Sequence, residues 1–291
     1  MGPTASGKSA LALGLARRHP DVELVSVDSM QVYRGMDIGT ATPSAAERAE
    51  VRHHLVDLVD PDEEFTVSQF QHAARVALDD IARRGRRAVL VGGTGLYLRA
   101  VVDDLELPGR FPEVRARLEA EPDTGALHRQ LRGLDPLAAS RMEPTNRRRV
   151  VRALEVTLGS DRAFSSYGPG LEVYPSLAHP VVGLRLDRDE LDRRIEARIQ
   201  AQLDAGWLEE VRELSRRPRG LSVTAAQALG YRELLAHLRG EMSLEDATDE
   251  IVVRTRRFQR RQERWFRRDP RVTWVEAGHN ALVATLELLG D

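Results

Sequence analysis

The residues best suited to chemistry stand at the start of the chain, where GPTASGKS occupies residues 2–9. This is the spacing of a P-loop, whose glycines let the main chain wrap closely around an oligophosphate. The N–H groups of such a loop face the phosphate oxygens, and the following helix adds its positive end. The motif predicts a phosphate site, in which the Lys8 ammonium pairs with phosphate and the Ser9 hydroxyl binds Mg2+. The residues expected at this site are Gly2, Pro3, Thr4, Ala5, Ser6, Gly7, Lys8 and Ser9.

Lys8 is also the only lysine in the chain, because the other 42 of its 43 basic residues are arginines. A compact ammonium group fits between a main-chain cradle and a phosphate, where a planar guanidinium does not. The presence of the one lysine inside this loop therefore argues against a chance match to a short pattern.

Asp28 is a candidate base at the same place. It follows the strand-like run 23–27, and ligands of open parallel sheets gather at the carboxyl ends of the strands. A second run, 87–91, ends in the glycine-rich stretch 92–95, which puts another loop of main-chain donors at that edge. Turn formation or helix capping is the alternative for Asp28, and tight packing of helix on strand is an equal alternative for the glycines.

Alternating strand and helix patterns predict an α/β fold, with a parallel sheet of the P-loop NTPase type flanked by helices. A P-loop should follow a buried strand, but only Met1 precedes the motif, so we expect the first strand to be truncated and to begin upstream. Proline-broken helical patterns predict a small all-helical insertion domain over 109–180, between core segments 1–108 and 181–291. Further strands are expected at 53–57, 181–186 and 272–275, the second of these returning to the same sheet, and one helix is expected over 224–238.

Composition narrows the class of protein. With 42 % hydrophobic residues the chain can bury a sizeable core, and the absence of cysteine excludes disulfides, thiolate zinc sites and a cysteine nucleophile. The paired His53 and His54 lack a third ligand at a suitable spacing, so structural or solvent-facing histidines are favoured over a metal site. No apolar run has the length of a membrane span and no signal peptide is visible, so a soluble, cytoplasmic protein is expected.

The net charge of −2 conceals one strongly basic segment. From Arg254 to Arg268 there are eight arginines and a single acid, Glu263, on a predicted helix, which favours a polyanion partner over a solvated helix face. A second basic helix is expected over 147–157, where both interpretations stay open. A kinase of small metabolites has no use for such a segment, whereas an enzyme acting on nucleic acid does.

Several stretches of the chain resemble those of the tRNA dimethylallyltransferases, also called tRNA isopentenyltransferases. The matching stretches run in family order over nearly the whole chain. They are GPTASGKS at 2–9, SVDSMQVYRGMDIGTA at 26–41, HHLVD at 53–57, VGGTGLYL at 91–98, PEVRARLE at 112–119, RVVRALEV at 149–156, ALGYRE at 228–233 and TRRFQRRQERWFR at 255–267.

The resemblance implies transfer of a dimethylallyl group from its diphosphate to N6 of the adenosine beside the anticodon of a tRNA. It implies a Mg2+ cofactor, a monomer, and a P-loop that holds a diphosphate leaving group. Asp28 would be the catalytic base and Thr4 a substrate-contacting residue. Arg194 and Arg198 would grip the diphosphate, with helix-surface salt bridges as an equal alternative.

The resemblance further implies a set of RNA contacts, in which Arg148 departs from the family because a glutamine is usual there. The set is Asp28, Ser29, Met30, Gln31, Thr94, Arg115, Arg148, Arg149, Val150, Val151, Arg152, Gln227, Gly230, Tyr231, Arg232, Arg260, Arg261, Gln262, Trp265 and Arg267.

Two alternatives stay open. One is an adenylate isopentenyltransferase, which prenylates a free nucleotide, and the other is a kinase of small metabolites that binds ATP in the same P-loop. The helical insertion and the basic C-terminal helix favour tRNA as the acceptor over both.

Overall fold

The structure is a computed structural model that describes residues 1–290, and it divides the chain into two compact units. The core unit comprises Met1–Val102 together with the chain from Ser176 onward. The helical unit comprises Asp103–Pro175. Each boundary lies a few residues before the one expected from the sequence.

A three-stranded parallel sheet carries the first half of the core unit. Its strands are β1 (Val22–Val27), β2 (His53–His54) and β3 (Arg87–Gly92), in the order β2-β1-β3. The predicted strand at 53–57 is shorter than expected because Leu55 and Asp57 have positive φ angles, 63° and 55°, which end the extended run. β3 lies at the edge of the sheet and is half-buried.

The second sheet pairs β4 (Val181–Arg185) with β5 (Val272–Glu276), also in parallel. The prediction that the strand near 181 returns to the first sheet is therefore wrong. Helix α1 (Lys8–Arg18) packs its side chains on both sheets, with Leu13 in the cluster beside β1 and Leu11 against the β4–β5 cluster. The two sheets are therefore joined by side chains of α1, whereas hydrogen bonds between the strands of a single sheet were expected.

Hydrogen bonds to β4 of the second sheet fix the main chain that leads into the glycine loop and α1. The Met1 nitrogen donates to the Val182 carbonyl oxygen at 2.6 Å, and the Leu184 N–H donates to the Met1 carbonyl oxygen at 2.9 Å. The main chain of Met1 therefore runs along β4 and delivers the glycine loop to the end of the strands.

The remaining helices of the core unit follow the predicted periodicities closely. Helix α3 begins after Thr66, whose side chain forms a reciprocal capping box with Gln69, and it buries Phe70, Ala74 and Ile81. The expected single helix over 224–238 is instead a short 3-10 turn and a separate helix, because Gly230 has a φ of 88°. The helices are α2 (Ala45–Glu50), α3 (Val67–Arg83), α4 (Gly95–Val102), α9 (Arg188–Asp204), α10 (Trp207–Ser215), α11 (Tyr231–Leu238), α12 (Leu244–Phe266) and α13 (Ala281–Leu289).

Helix α12 is the basic helix predicted from the arginine-rich segment. It spans 23 residues, begins where the Ser243 hydroxyl accepts the Asp246 N–H, and buries a side that includes two glutamines, Gln259 and Gln262. None of the helices described for residues 1–290 is both long and apolar enough to cross a membrane.

The described secondary structure of the helical unit contains helices only, as predicted. Leu131, Val150 and Leu154 form the centre of its core. Inside it the buried carboxylate of Glu155 is bound by Arg115 and Arg152. The helices are α5 (Pro112–Ala120), α6 (Thr124–Leu134), α7 (Pro136–Ser140) and α8 (Arg147–Gly159), with a 3-10 turn at Phe164–Ser166.

Candidate active site

The loop before α1 has the geometry of an anion cradle. Ala5 and Gly7 adopt left-handed conformations, with φ angles of 62° and 90°, and α1 starts at Lys8. The first N–H groups of a helix have no partner within the helix, so they point outward as donors. The Ser6 hydroxyl is buried and has no hydrogen-bond partner among the described residues. An oxyanion bound in the loop would satisfy these donors.

Lys8 lies inside this cradle, where its ammonium group donates to the Pro3 carbonyl oxygen at 3.3 Å. Burial lowers the pKa of Lys8 to about 8, an effect that the Asp28 carboxylate opposes and the Arg198 guanidinium reinforces. The ammonium therefore lacks a full counter-charge in the protein alone. An anionic ligand would supply it.

Asp28 stands directly after β1, at the end of the sheet that faces the loop. One carboxylate oxygen accepts the Met30 N–H at 2.9 Å, so the residue does form a turn, as its alternative interpretation proposed. The carboxylate also acts on the charges of Lys8 and Arg198. The expected juxtaposition of the candidate base and the P-loop is therefore present.

The two candidate diphosphate arginines on α9 differ. Arg198 donates to the Thr4 hydroxyl at 3.4 Å, and burial lowers its pKa while the Asp28 carboxylate opposes that shift. Arg194 instead pairs with Glu190 at 2.7 Å, and its side chain is 42 % exposed. The structure thus brings Arg198 to the loop and leaves Arg194 in a surface salt bridge, the alternative given for both.

A small pocket of about 60 Å³ opens beside Thr4 and Arg198. Half of its ten lining residues are aliphatic or aromatic, and the others include Thr4, Arg198 and Gln202. Such a pocket suits a short apolar chain attached to an anionic group. Its lining residues are Thr4, Gly39, Ile195, Arg198, Ile199, Gln202, Trp207, Leu229, Ile251 and Thr255.

The chain after Asp28 is held by its own polar side chains. The Ser29 N–H donates to the Thr94 hydroxyl at 3.2 Å, which joins this segment to the loop after β3. The Gln31 amide accepts from the Ser26 hydroxyl at 2.7 Å and donates to the Ala41 carbonyl oxygen at 2.9 Å. Gln31, expected to hold an adenine edge, therefore has both amide atoms bonded within the protein, and Met30 packs on the core.

Gln262, expected among the RNA contacts, is buried between the two glycine loops. Its Oε1 accepts the Thr4 N–H at 2.8 Å and its Nε2 donates to the Gly93 carbonyl oxygen at 2.8 Å. The neighbouring Trp265 lies where a Cβ on Gly95 would reach it at 2.2 Å. Both side chains therefore face the loops.

Glu210 on α10 is a residue that the sequence did not reveal. Its carboxylate accepts the main-chain N–H groups of Asp37 and Ile38 at 2.8 and 2.7 Å, and the Tyr231 hydroxyl at 2.7 Å. It fixes the loop that supplies Gly39 to the pocket. The pairing joins residues more than 170 positions apart, so no local pattern could have indicated it.

Several of the predicted RNA contacts are excluded by burial. Val150 and Val151 lie in the core of the helical unit, and Tyr231 is fully buried, so these side chains cannot reach an RNA. Gly230 is likewise buried. Arg115 and Arg152 hold the buried Glu155, which assigns both a structural role. The predicted RNA contacts that the structure leaves exposed are Arg148, Arg149, Gln227, Arg232, Arg260, Arg261 and Arg267.

The arginines of α12 are not equivalent. Arg254 pairs with Glu233, Arg256 with Asp192 and Glu196, and Arg267 with Glu263. The net positive charge around the segment 254–268 is therefore smaller than its eight arginines alone indicate. The arginines without a carboxylate partner among residues 1–290 are Arg257, Arg260, Arg261, Arg264 and Arg268.

No group of three or more His, Asp or Glu side chains is placed to hold a metal ion within residues 1–290. Ser9 is exposed in the first turn of α1, directly after Lys8. A single hydroxyl suits Mg2+, which usually keeps several waters and takes further oxygens from a phosphorylated substrate.

Comparison with known proteins identifies the chain's relatives. The profile of the family described as IPP transferase matches residues 31–269. A protein of Bifidobacterium longum subsp. infantis named tRNA dimethylallyltransferase is 46 % identical, with 97 % of this chain and 87 % of that protein covered. One of Nocardioides sp. with the same name is 48 % identical, with 97 % and 92 % covered. The crystal structure of a tRNA isopentenylpyrophosphate transferase from Bacillus halodurans matches at 36 % identity and a TM-score of 0.73, covering 99 % of this chain and 93 % of that one.

Proposed function

The chain belongs to the IPP transferase family, and we propose that it is a tRNA dimethylallyltransferase. The reaction transfers a dimethylallyl group from dimethylallyl diphosphate to N6 of the adenosine next to the anticodon, with release of diphosphate. The observation that carries this proposal is the meeting of an anion cradle, a carboxylate and a small, partly apolar pocket around Thr4, Lys8, Asp28 and Arg198. The names of the relatives supply the identity of the group transferred and of its acceptor.

Binding of the donor uses charge at one end and apolar contact at the other. The N–H groups at the start of α1, the Lys8 ammonium and the Arg198 guanidinium bind the diphosphate, and the pocket beside Thr4 takes the five-carbon chain. As the allylic C–O bond breaks, its electron pair stays with the diphosphate, whose negative charge grows. Fixed donors aimed at that charge stabilise the transition state more than the ground state.

A Mg2+ ion fits this site, because the exposed Ser9 hydroxyl and the diphosphate oxygens together offer the oxygen ligands that it prefers. When bound, the ion would neutralise part of the charge on the leaving group. The chain's own cations, Lys8 and Arg198, act on the same charge.

The acceptor is an exocyclic amine, which becomes acidic as its nitrogen bonds to the allylic carbon. Asp28 takes the proton in this proposal, since its carboxylate lies at the strand end beside the cradle. The segment after Asp28, tied to Thr94 through Ser29, forms the adjacent wall. The Thr4 hydroxyl, which accepts from Arg198, faces the pocket from the other side.

RNA binding rests on the exposed arginines. Five arginines of the segment 254–268, four of them on α12, have no carboxylate partner among the described residues, and Arg148 and Arg149 are exposed in the helical unit. Contacts with phosphates would compensate the cost of removing the target base from its stack, a few kcal/mol. We further propose a monomer acting in the cytoplasm, where tRNA is found; the resemblance to the family supports the monomeric state.

One experiment separates this function from its alternatives. The protein is incubated with Mg2+ and dimethylallyl diphosphate together with an anticodon stem-loop or AMP, and separately with ATP and candidate metabolites. A mass gain of one C5H8 group on the stem-loop, located at N6 of adenosine, is the expected result. Prenylation of AMP alone, or phosphorylation of a metabolite, would overturn the proposal.

A further inference from the structure

Gln262 joins two loops that lie far apart in the sequence. It is 6 % exposed, it lies one turn before the end of α12, and its amide bonds the main chain of Thr4 and of Gly93. These contacts span 258 and 169 residues. One side chain thus connects the phosphate loop, the loop after β3 and the arginine-bearing helix.

Two glycines of the loop after β3 leave room for side chains of α12. A Cβ on Gly93 would lie 2.3 Å from the Gln262 Nε2, and one on Gly95 would lie 2.2 Å from the Trp265 ring. Atoms cannot approach so closely, so a larger residue at either position would force the Gln262 amide or the Trp265 ring to move. The glycine-rich stretch is therefore a seat for α12, a use that neither anion binding nor helix-on-strand packing had indicated.

The contact extends to the candidate base. Thr94 follows Gly93, and its hydroxyl accepts the N–H of Ser29, the residue after Asp28. A displacement of Gln262 would therefore be felt at the cradle through Thr4 and at the Asp28 segment through Gly93 and Thr94.

We propose that Gln262 is a positioning residue that couples the RNA-facing helix to the diphosphate site. RNA and diphosphate each order the same set of contacts, so binding of one favours binding of the other. The nature of the two ligands rests on the proposed function, whereas the contacts through Gln262 do not.

The test compares Gln262→Met with Gln259→Met. Methionine has nearly the length and volume of glutamine but makes no comparable hydrogen bonds, so each change removes polar contacts with little change in packing. Gln259 is the matched control, because it is equally buried one turn earlier and bonds only Glu263 of its own helix. Binding of inorganic diphosphate with Mg2+ is measured by calorimetry with and without the anticodon stem-loop, and kcat and KM are measured for transfer.

In the wild type and in Gln259→Met, the stem-loop should tighten diphosphate binding by the same factor. In Gln262→Met, diphosphate binding should weaken about tenfold, as expected when buried main-chain groups lose their partners. The factor by which the stem-loop tightens diphosphate binding should fall to one. Because the loss affects a transition-state contact as well, kcat should fall along with the donor's apparent affinity.

Three results would overturn the coupling. They are wild-type binding and RNA dependence in Gln262→Met, equal losses in the two methionine variants, or no effect of the stem-loop on the wild type. If Gln262→Met does not fold, Gln262→Asn decides, since it keeps a neutral amide but is one methylene shorter and cannot bond both Thr4 and Gly93. The RNA dependence of diphosphate binding should again be lost, and wild-type dependence overturns the proposal. Failure of the proposed function would appear separately, as a wild-type protein that prenylates no RNA.

Discussion

The two glycine loops at the strand ends have similar composition but different uses. In the first, residues 2–9, left-handed conformations at Ala5 and Gly7 turn the main-chain N–H groups toward open space. In the second, residues 92–95, Gly93 and Gly95 leave room for Gln262 and Trp265 of α12, whereas Gly92 lies against Val27 of β1. A glycine-rich turn after a strand is therefore compatible with ligand binding and with helix docking, and the neighbouring side chains decide between them.

The largest expected effect lies between the two loops, at Asp28. In Asp28→Asn the side-chain oxygen can still accept the Met30 N–H, so the turn is kept while the base is lost. We expect turnover to fall about 10²–10⁴-fold with RNA binding unchanged, measured by single-turnover kinetics and by binding of the stem-loop. Near-normal turnover would show that another group takes the proton.

Alanine substitutions sharpen the comparison between the loops. Gly7→Ala meets no atom within 4 Å but places a Cβ at a φ of 90°, so its cost is a conformational one of about 1–2 kcal/mol in unfolding free energy. Gly93→Ala drives a Cβ into Gln262 and should cost about 1–3 kcal/mol.

A double-mutant cycle distinguishes the conformational cost of Gly7→Ala from the steric cost of Gly93→Ala. Adding Gln262→Ala should relieve part of the Gly93→Ala defect, whereas the effects of Gly7→Ala and Gln262→Ala should simply add. Additivity in both pairs would contradict the role of the second loop as a seat for α12.

The pH dependence of donor binding probes the first loop alone. Because burial lowers the pKa of Lys8 to about 8, the free protein loses this positive charge as the pH rises through that value. The dissociation constant of dimethylallyl diphosphate should therefore rise above about pH 8, by up to about tenfold per pH unit. Lys8→Met, which carries no titrating charge, is the control: it should bind the donor more weakly at every pH, and the break near pH 8 should be absent from its profile.

The smallest effects are expected for substitutions of arginines on α12, the helix that packs on the second loop. Arg260→Ala removes an exposed arginine with no carboxylate partner among the described residues, so the slope of log affinity for RNA against log salt should decrease by about one. Arg256 bonds Asp192 and Glu196, and Arg256→Ala should change stability rather than that slope. Equal slopes in the two variants would contradict the division of α12 into paired and RNA-facing arginines.

The sequence was informative where chemistry depends on local spacing. The phosphate loop, the place of Asp28 at a strand end, the all-helical unit and the basic helix each follow from residues within about one element, where turn, cap and periodicity rules apply. The boundary between α9 and α10 belongs to the same class, since it lies at Gly206, a glycine with a φ of 99°.

Contacts between distant segments could not be predicted in this way. The arginine-rich run predicted a helix around Gln262 but could not show that its amide bonds Thr4 and Gly93. Separation of the strands into two sheets depends on long-range pairing, which a strand's own residues do not encode. Val150 and Val151 matched a family stretch, yet their apolar side chains belong to the core.

The difference between the loops can be measured directly by titrating the 15N-labelled protein with diphosphate and Mg2+ and following its amide resonances. We expect large shifts for Ala5 to Ala10, at the cradle and the start of α1, and small shifts for Gly92, Gly93 and Gly95. Shifts of equal size in the second loop would show that both loops bind the anion and would contradict the assignment of the second to α12.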